Sequence, residues 1–386
     1  MPESVPRSVS GPQGSVVIAP ALSRADRRRF VELPYLLYAH HEQWVPPLRR
    51  DEWRRLSRRH NPFHDHADVR LWLAWRSGRV VGRVAGIDDR LHNETHGERI
   101  TWFGFFEAAD EAVATALLRV VEQHARTCGS TAVRGPANPS LNESVGLLVD
   151  AFDDAPYILM PYNPPSYPTF VEAAGYRKAK DLLAWDFDMR VPLPDRVRRI
   201  GERLARRGGV HIRTVRRTRA GFAADLELLK SIYRAAWAGN WGFVPPTDAE
   251  IERLAFDLKP VLDPELVLFA EVGGEPVGVV VAVPDVNQVL KRMKGRLLPF
   301  GVFHFLRRAR IITRSRVILL GVLPVFQRQG LYPLLVAELY RRGLARGYQG
   351  GELSWTLEDN DAINAGIVAA GGQRRKTYRI YEKPVG

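Results

Sequence analysis

From Val317 to Lys383 the chain reads VILLGVLPVFQRQGLYPLLVAELYRRGLARGYQGGELSWTLEDNDAINAGIVAAGGQRRKTYRIYEK. The apolar run Val317–Val322 has the length and branched composition of a strand. A Pro-containing turn follows, and then Gln327, Arg328, Gln329 and Gly330. From Leu331 apolar residues return at helical spacing, through Leu334, Leu335, Leu339 and Leu344. A strand therefore ends in a polar loop with one glycine, and a helix starts. The first-turn N–H groups of that helix lack intrahelical partners and point into the loop. Together with the positive end of the helix dipole they suit a phosphate.

Working outward, the chain repeats itself. Leu71–Asp89 and Leu266–Asp285 each read as strand, tight Gly turn and strand, and Gly82 and Gly278 lie 196 positions apart. Gly175 and Gly371, each closing an Ala-Ala-Gly run, are also 196 apart, as are Lys180 and Lys376. A weaker third pair sets Trp44-Val45-Pro46-Pro47 against Phe243-Val244-Pro245-Pro246. Three matches in one order indicate two copies of one fold. Each copy opens with a strand (Ser15–Ile18, Val210–Val215) and a helix (Arg24–His40, Ala220–Trp237), and the whole pattern is mixed α/β. The expected organisation is a disordered N-terminus at 1–14, a first copy at 15–190, a linking helix at 191–209 and a second copy at 210–386. The Arg-rich linker, Pro194–Gly209, reads as a solvated basic face.

The copies differ in two places. Between hairpin and next strand the first has 10 residues (Arg90–Arg99) and the second has 31 (286–316). The longer segment holds nine Lys or Arg and no acid, among large apolar residues: Leu290, Met293, Leu297, Leu298, Phe300, Phe303, Phe305, Leu306, Ile311 and Ile312. That mixture describes an interfacial amphipathic segment, and equally a helix pair packed on the domain. Opposite the loop at Pro324–Gly330, the first copy has Glu107-Ala108-Ala109-Asp110-Glu111-Ala112-Val113, acidic and without glycine. An anion site therefore belongs to the second copy alone.

The net charge of +13 points to an anionic partner: nucleic acid, an acidic membrane surface or a phosphorylated small molecule. One cysteine, Cys128, excludes an internal disulfide and fits a reducing compartment. It reads as a small buried residue rather than a nucleophile. No window of about eighteen apolar residues is present, so a cytoplasmic protein is expected, with peripheral contact at the inner face of the membrane through 286–316. His60, His64 and His66 lie in a polar loop without a completing ligand, and no metal is expected.

Val322, Pro324, Gln327 and Gly330 resemble motif A of the GCN5-related N-acetyltransferase (GNAT) superfamily. Tyr332 stands where that motif usually has Gly or Ala. Trp355–Asn360 resembles the family's fifth strand, and Tyr378–Lys383 its closing strands. The resemblance implies tandem GNAT-like α/β domains, each a mixed central sheet flanked by helices. It implies acyl transfer from an acyl-CoA to an amine, with no metal. It places Val322, Gln327, Arg328, Gln329, Gly330, Leu331, Tyr332 and Asn360 at the CoA, although Asn360 serves equally as a helix N-cap. It also implies that two central strands splay around the thioester, where a strand N–H near Gly321–Leu323 meets the carbonyl.

The family's usual acid, a Tyr on the short helix, falls on Ile367. Glu358, Tyr332 and Tyr381 are the remaining catalytic candidates, with Tyr378 a further tyrosine and Glu352 read as a surface carboxylate. Trp237, Asn240 and Trp241 border the acceptor side, and Asn138–Asn142 and Met160–Pro165 are loops suited to the same pocket. The chain is also similar to bacterial tandem acyltransferase-like proteins of the ceramide synthase type, which implies a lipid amine such as a sphingoid base. Alternatives are acetylation of a small amine or peptide, transfer from aminoacyl-tRNA, and non-catalytic membrane or nucleic-acid binding on the same scaffold.

Overall fold

The computed structural model describes residues 8–9, 14–207, 209–295 and 305–386. The strand, loop and helix that open the sequence reading are present as Arg314–Val322, a 3₁₀ turn at Pro324–Gln329 and the helix Leu331–Ala345. Within the N-terminus expected to be disordered, Ser8–Val9 pair with Val16–Val17, and 1–7 and 10–13 lie outside the described residues.

The described residues fall into two compact units. In the first, Val16–Pro20, Ala67–Arg76, Arg79–Asp89 and Ile100–Ala108 form an antiparallel series. Ile100–Trp102 then run parallel to Ala132–Arg134. In the second, Val210–Thr214, Val267–Val272, Glu275–Pro284 and Arg314–Val322 repeat that order, and Arg314–Val317 run parallel to Gly350–Leu353. Both hairpins turn on two residues with positive φ, Ser77-Gly78 and Gly273-Gly274, which matches the twist of the paired strands.

The units are interleaved in sequence, which amends the linear division at 15–190 and 210–386. Leu182–Asp188, the end of the first copy's last strand, pairs antiparallel with Gly350–Leu357 in the second unit. Tyr381–Pro384, from the second copy's last strand, pairs antiparallel with Ala132–Gly135 in the first unit. Tyr381 and Val385 are accordingly buried in the first unit's core, against Val133, Tyr167 and Tyr176. The second unit's core gathers Leu268, Val280, Val322, Leu331, Leu335 and Leu339. Parallel neighbours leave a sheet edge that needs a further strand, and each copy supplies the other's.

The linker is more than a solvated basic face. As the helix Asp195–Arg207 it buries Val197 and Gly201, and Gly201 lies close to Ala337 and Leu334 on Leu331–Ala345. Its Arg196, Arg198, Arg199 and Arg203 stay exposed. In the long insertion, Asn287–Met293 is helical, with Val289 and Met293 buried, and Arg308–Ile311 forms a single turn. Leu297, Leu298, Phe300 and Phe303 lie outside the described residues.

Candidate active site

In the second unit, the parallel register between Arg314–Val322 and Gly350–Leu357 stops at Val317 and Leu353. Beyond it the two strands have no pairing with each other, so a gap opens between Leu319–Val322 and Thr356–Leu357. The edge of that gap follows from register. Leu323 donates its N–H to Val277 O at 2.8 Å, and pairs alternate along an antiparallel ladder. Gly321 therefore turns its N–H to Glu275–Pro284 as well, whereas Val322 turns its N–H and C=O to the gap. Of the three positions near Gly321–Leu323, only Val322 turns its N–H away from the neighbouring strand and toward the gap.

The loop residues close around this edge. Gln327 Nε2 donates to Val322 O at 3.3 Å. Gly330 sits in the left-handed region at φ 79° and starts the helix without a side-chain cap. A Cβ at Gly330 would lie 3.0 Å from Leu204 Cδ1, so both backbone and packing favour glycine. The N–H groups of Leu331 and Tyr332 open the helix, while Pro333 has none to offer. Leu331 is buried in the core, Gln329 is exposed, and Arg328's side chain lies outside the description. Tyr332 reaches the gap, with the Val322 N–H directed at its hydroxyl. Burial pushes that hydroxyl above its ordinary pKa of 10.0, and the Val322 bond partly opposes the shift.

Trp237, the last residue of the helix Arg219–Trp237, lies over the adjoining strand position. A Cβ at Gly321 would lie 2.3 Å from its Cζ3. Asn240 follows in the turn, donating its N–H to Trp237 O at 2.8 Å. Trp241 is half-buried in the same loop. On the far strand, Trp185 Nε1 donates to Thr356 Oγ1 at 2.9 Å, and Thr356 bonds Asn364 Oδ1 at 2.7 Å. These three were not legible in the sequence: Trp185 arrives from the first copy, and Asn364 is signalled only by its place one helical turn after Asn360. Asn360 is the N-cap of Asp361–Ala369, accepting from Ile363 N at 3.3 Å. Glu358 lies half-buried just before it.

Two expectations, the exposure of Glu352 and the burial of Cys128, need correction. Glu352 is no surface carboxylate: it is 1% exposed, pairs with Lys376 Nζ at 3.3 Å and accepts from Ser354 Oγ at 2.6 Å. Strand alternation turns it inward, where the buried Lys376 neutralises it. Tyr381 belongs to the first unit, where its hydroxyl bonds Glu172 Oε1 at 3.0 Å. Cys128 is exposed, because it caps the C-terminus of Glu111–Thr127 rather than lying within it. Ile367, at the family's Tyr position, is buried against Leu183, Trp185 and Leu353.

In the first unit the equivalent N–H, on Ala108, likewise meets a tyrosine hydroxyl, but one tied to a buried carboxylate. Tyr167's hydroxyl accepts it at 3.0 Å and itself bonds Glu107 Oε2 at 2.9 Å. Burial pushes Glu107 above the usual carboxylate range, opposed by Arg83, Tyr38 and Tyr167. Of Asn138–Asn142, Asn138 Oδ1 accepts from Phe105 N, and of Met160–Pro165, Asn163 is buried and bonded to Leu148. The histidines of the 60–66 loop have separate partners: Ser57, Arg55 O and Asp89 respectively.

No family model matches the chain. It is 39% identical to the bacterial ceramide synthase of Caulobacter vibrioides (strain NA1000 / CB15N), over 95% of this chain and 97% of that protein. It is 32% identical to protein YghO of Escherichia coli (strain K12), over 94% of each. Among solved structures it resembles a tandem GNAT protein from the clavulanic acid biosynthesis pathway, with a TM-score of 0.57 and 12% identity over 96% of this chain and 99% of that one. With the fold shared at that distance and the sequence shared across nearly its whole length, this chain belongs to the tandem GNAT-fold family of the bacterial ceramide synthase and YghO.

Proposed function

We propose that this protein is an acyl-CoA-dependent N-acyltransferase acting on a lipid amine of the sphingoid-base class. The observation that carries the reading is the gap edge: a strand N–H at Val322, the end of pairing at Val317, and the uncapped helix start at Gly330 occur together in one unit. The 39% identity to a protein named bacterial ceramide synthase supports the acceptor class.

The CoA pyrophosphate lies against the N–H groups of Leu331 and Tyr332, with Gln327, Arg328, Gln329 and Asn360 around the rest of the cofactor. The thioester carbonyl enters the gap and displaces the Tyr332 hydroxyl from the Val322 N–H, whose bond to the carbonyl strengthens as charge develops on oxygen. The neutral amine attacks the carbonyl carbon from the Trp237, Asn240 and Trp241 side. A C–N bond forms and the C–S bond breaks. Glu358 accepts the amine proton, directly or through water, and the Tyr332 hydroxyl donates to the leaving thiolate.

The acceptor arrives from a membrane surface. Phe256 and Leu306 are 71% and 69% exposed, and Arg308 NH2 donates to Pro260 O at 3.4 Å, so the two segments adjoin. Lys259, Arg307 and Arg310 are exposed near them in the chain. Bulky apolar side chains among cations suit an anionic leaflet.

The test is to mix the protein with acetyl-CoA or palmitoyl-CoA and a long-chain amine, and to follow free thiol and the amide by mass spectrometry. Amine-dependent thiol release with the long-chain thioester is expected. If neither thioester raises the melting temperature nor releases thiol, the reading fails.

A further inference from the structure

Asp88, His124 and Cys128 converge in the first unit although 36 residues separate the first two. His124 and Cys128 lie one helical turn apart at the end of Glu111–Thr127, so their side chains share a face. Asp88 comes from the end of the hairpin strand Arg79–Asp89. His124 Nε2 is 2.6 Å from Asp88 Oδ2 and 3.6 Å from Cys128 Sγ, and Sγ is 3.7 Å from the same Oδ2. His124 is 6% exposed, whereas Cys128 opens to solvent.

We propose that these three groups bind a divalent transition metal of the zinc class, with water as the fourth ligand on the Cys128 side. A tetrahedral ion with metal–sulfur near 2.3 Å and metal–nitrogen or –oxygen near 2.0 Å sets N···S and O···S edges of about 3.5–3.6 Å and an N···O edge of about 3.3 Å. The two edges to sulfur are already within about 0.2 Å of that length. The third opens by about 0.7 Å as the Asp88–His124 hydrogen bond is replaced by two metal bonds. The carboxylate is aimed for this. Thr101 Oγ1 donates to Asp88 Oδ1 at 2.7 Å and is itself 2.9 Å from Ser130 Oγ, which leaves Oδ2 for the ion. The donor set of one nitrogen, one oxygen and one sulfur suits zinc better than calcium or magnesium.

The site does not belong to the acyl-transfer machinery. In the first unit the hairpin register puts Ala108 opposite Gly82 and Trp102 opposite Ile87, so Asp88 lies about six residues, or roughly 20 Å, along the strand from Ala108's end of the sheet. A metal here clamps the end of the helix to the end of the strand. Binding releases the thiol proton of Cys128 and clears the proton from His124 Nε2, the neutral imidazole keeping its N–H on Nδ1.

Cobalt is the probe. The full chain, stripped with chelator and kept reduced, is titrated with Co²⁺ and read by absorbance. One equivalent is expected, with a thiolate-to-cobalt band in the near ultraviolet, intense tetrahedral visible bands, and displacement by Zn²⁺. Cys128→Ser, at an exposed position, is expected to remove the thiolate band with the fold intact by circular dichroism, and His124→Ala to abolish uptake. Thr101→Val is expected to weaken affinity by about 10–100-fold, because Thr101 aims the carboxylate without being a ligand. A weak octahedral aquo spectrum in the native chain, or an unchanged thiolate band in Cys128→Ser, overturns the proposal.

Discussion

Replacing Gly321 by alanine tests whether Trp237 is held at the gap. A Cβ there would lie 2.3 Å and 2.9 Å from Cζ3 and Cη2 of the indole and 3.2 Å from Ala236 Cβ. Carbons in contact sit about 3.5–4.0 Å apart, so the ring must retreat by more than about 1 Å. The indole is rigid, and Ala236 blocks the simplest sideways escape, so helix and strand have to part. Gly321 is absent from the positive-φ glycines, which makes the effect steric rather than conformational. Overpacking of this kind costs about 1–3 kcal/mol, or roughly 2–12 °C in melting temperature for a unit of this size. A 1 Å displacement of a positioning group costs up to about 100-fold in rate. Thermal melts and amine-dependent thiol release should therefore both fall, with kcat/KM lower by about 10–100-fold. Gly321→Ala combined with Trp237→Leu should recover the melting temperature, because the smaller side chain removes the collision, without recovering kcat/KM. Native melting and native kcat/KM in the single variant would refute the reasoning.

Three further outcomes are expected. Glu352→Ala breaks a buried ion pair with Lys376 and should lower unfolding free energy by about 3–5 kcal/mol in urea, whereas Glu352→Met with Lys376→Met should restore most of it. Tyr332→Phe should lower kcat by about 10²–10⁴-fold with little change in thioester affinity. The hydroxyl's pKa lies above 10.0, and the donating form is the protonated one, so native activity should show no alkaline loss from this group below that pH; a Tyr332-dependent loss near pH 8 would contradict it. Phe256→Glu with Leu306→Glu should weaken sedimentation with phosphatidylglycerol vesicles about tenfold or more while leaving turnover of a short soluble amine unchanged. Equal vesicle binding would remove the membrane role from this surface.

The residues from Val317 to Lys383 carried most of the second copy on their own: strand, glycine turn and helix follow from hydrophobic period and from one residue suited to positive φ. The repeat, the two hairpins and the first copy's lack of an anion loop were equally local, because a turn or a helix start is decided within a few residues. Three things depended on contacts between distant segments. The exchange of last strands puts Trp185 beside Thr356 and Tyr381 beside Glu172, since pairing partners are chosen by sheet edges rather than by sequence distance. The burial of Glu352 depends on Lys376, 24 residues away, supplying its charge. The meeting of Asp88 with His124 and Cys128 depends on how a helix end seats on a strand end. Local chemistry sets what each segment can form; which free groups face one another is decided when the sheets close, because burial then demands a partner for every charge and every strand edge.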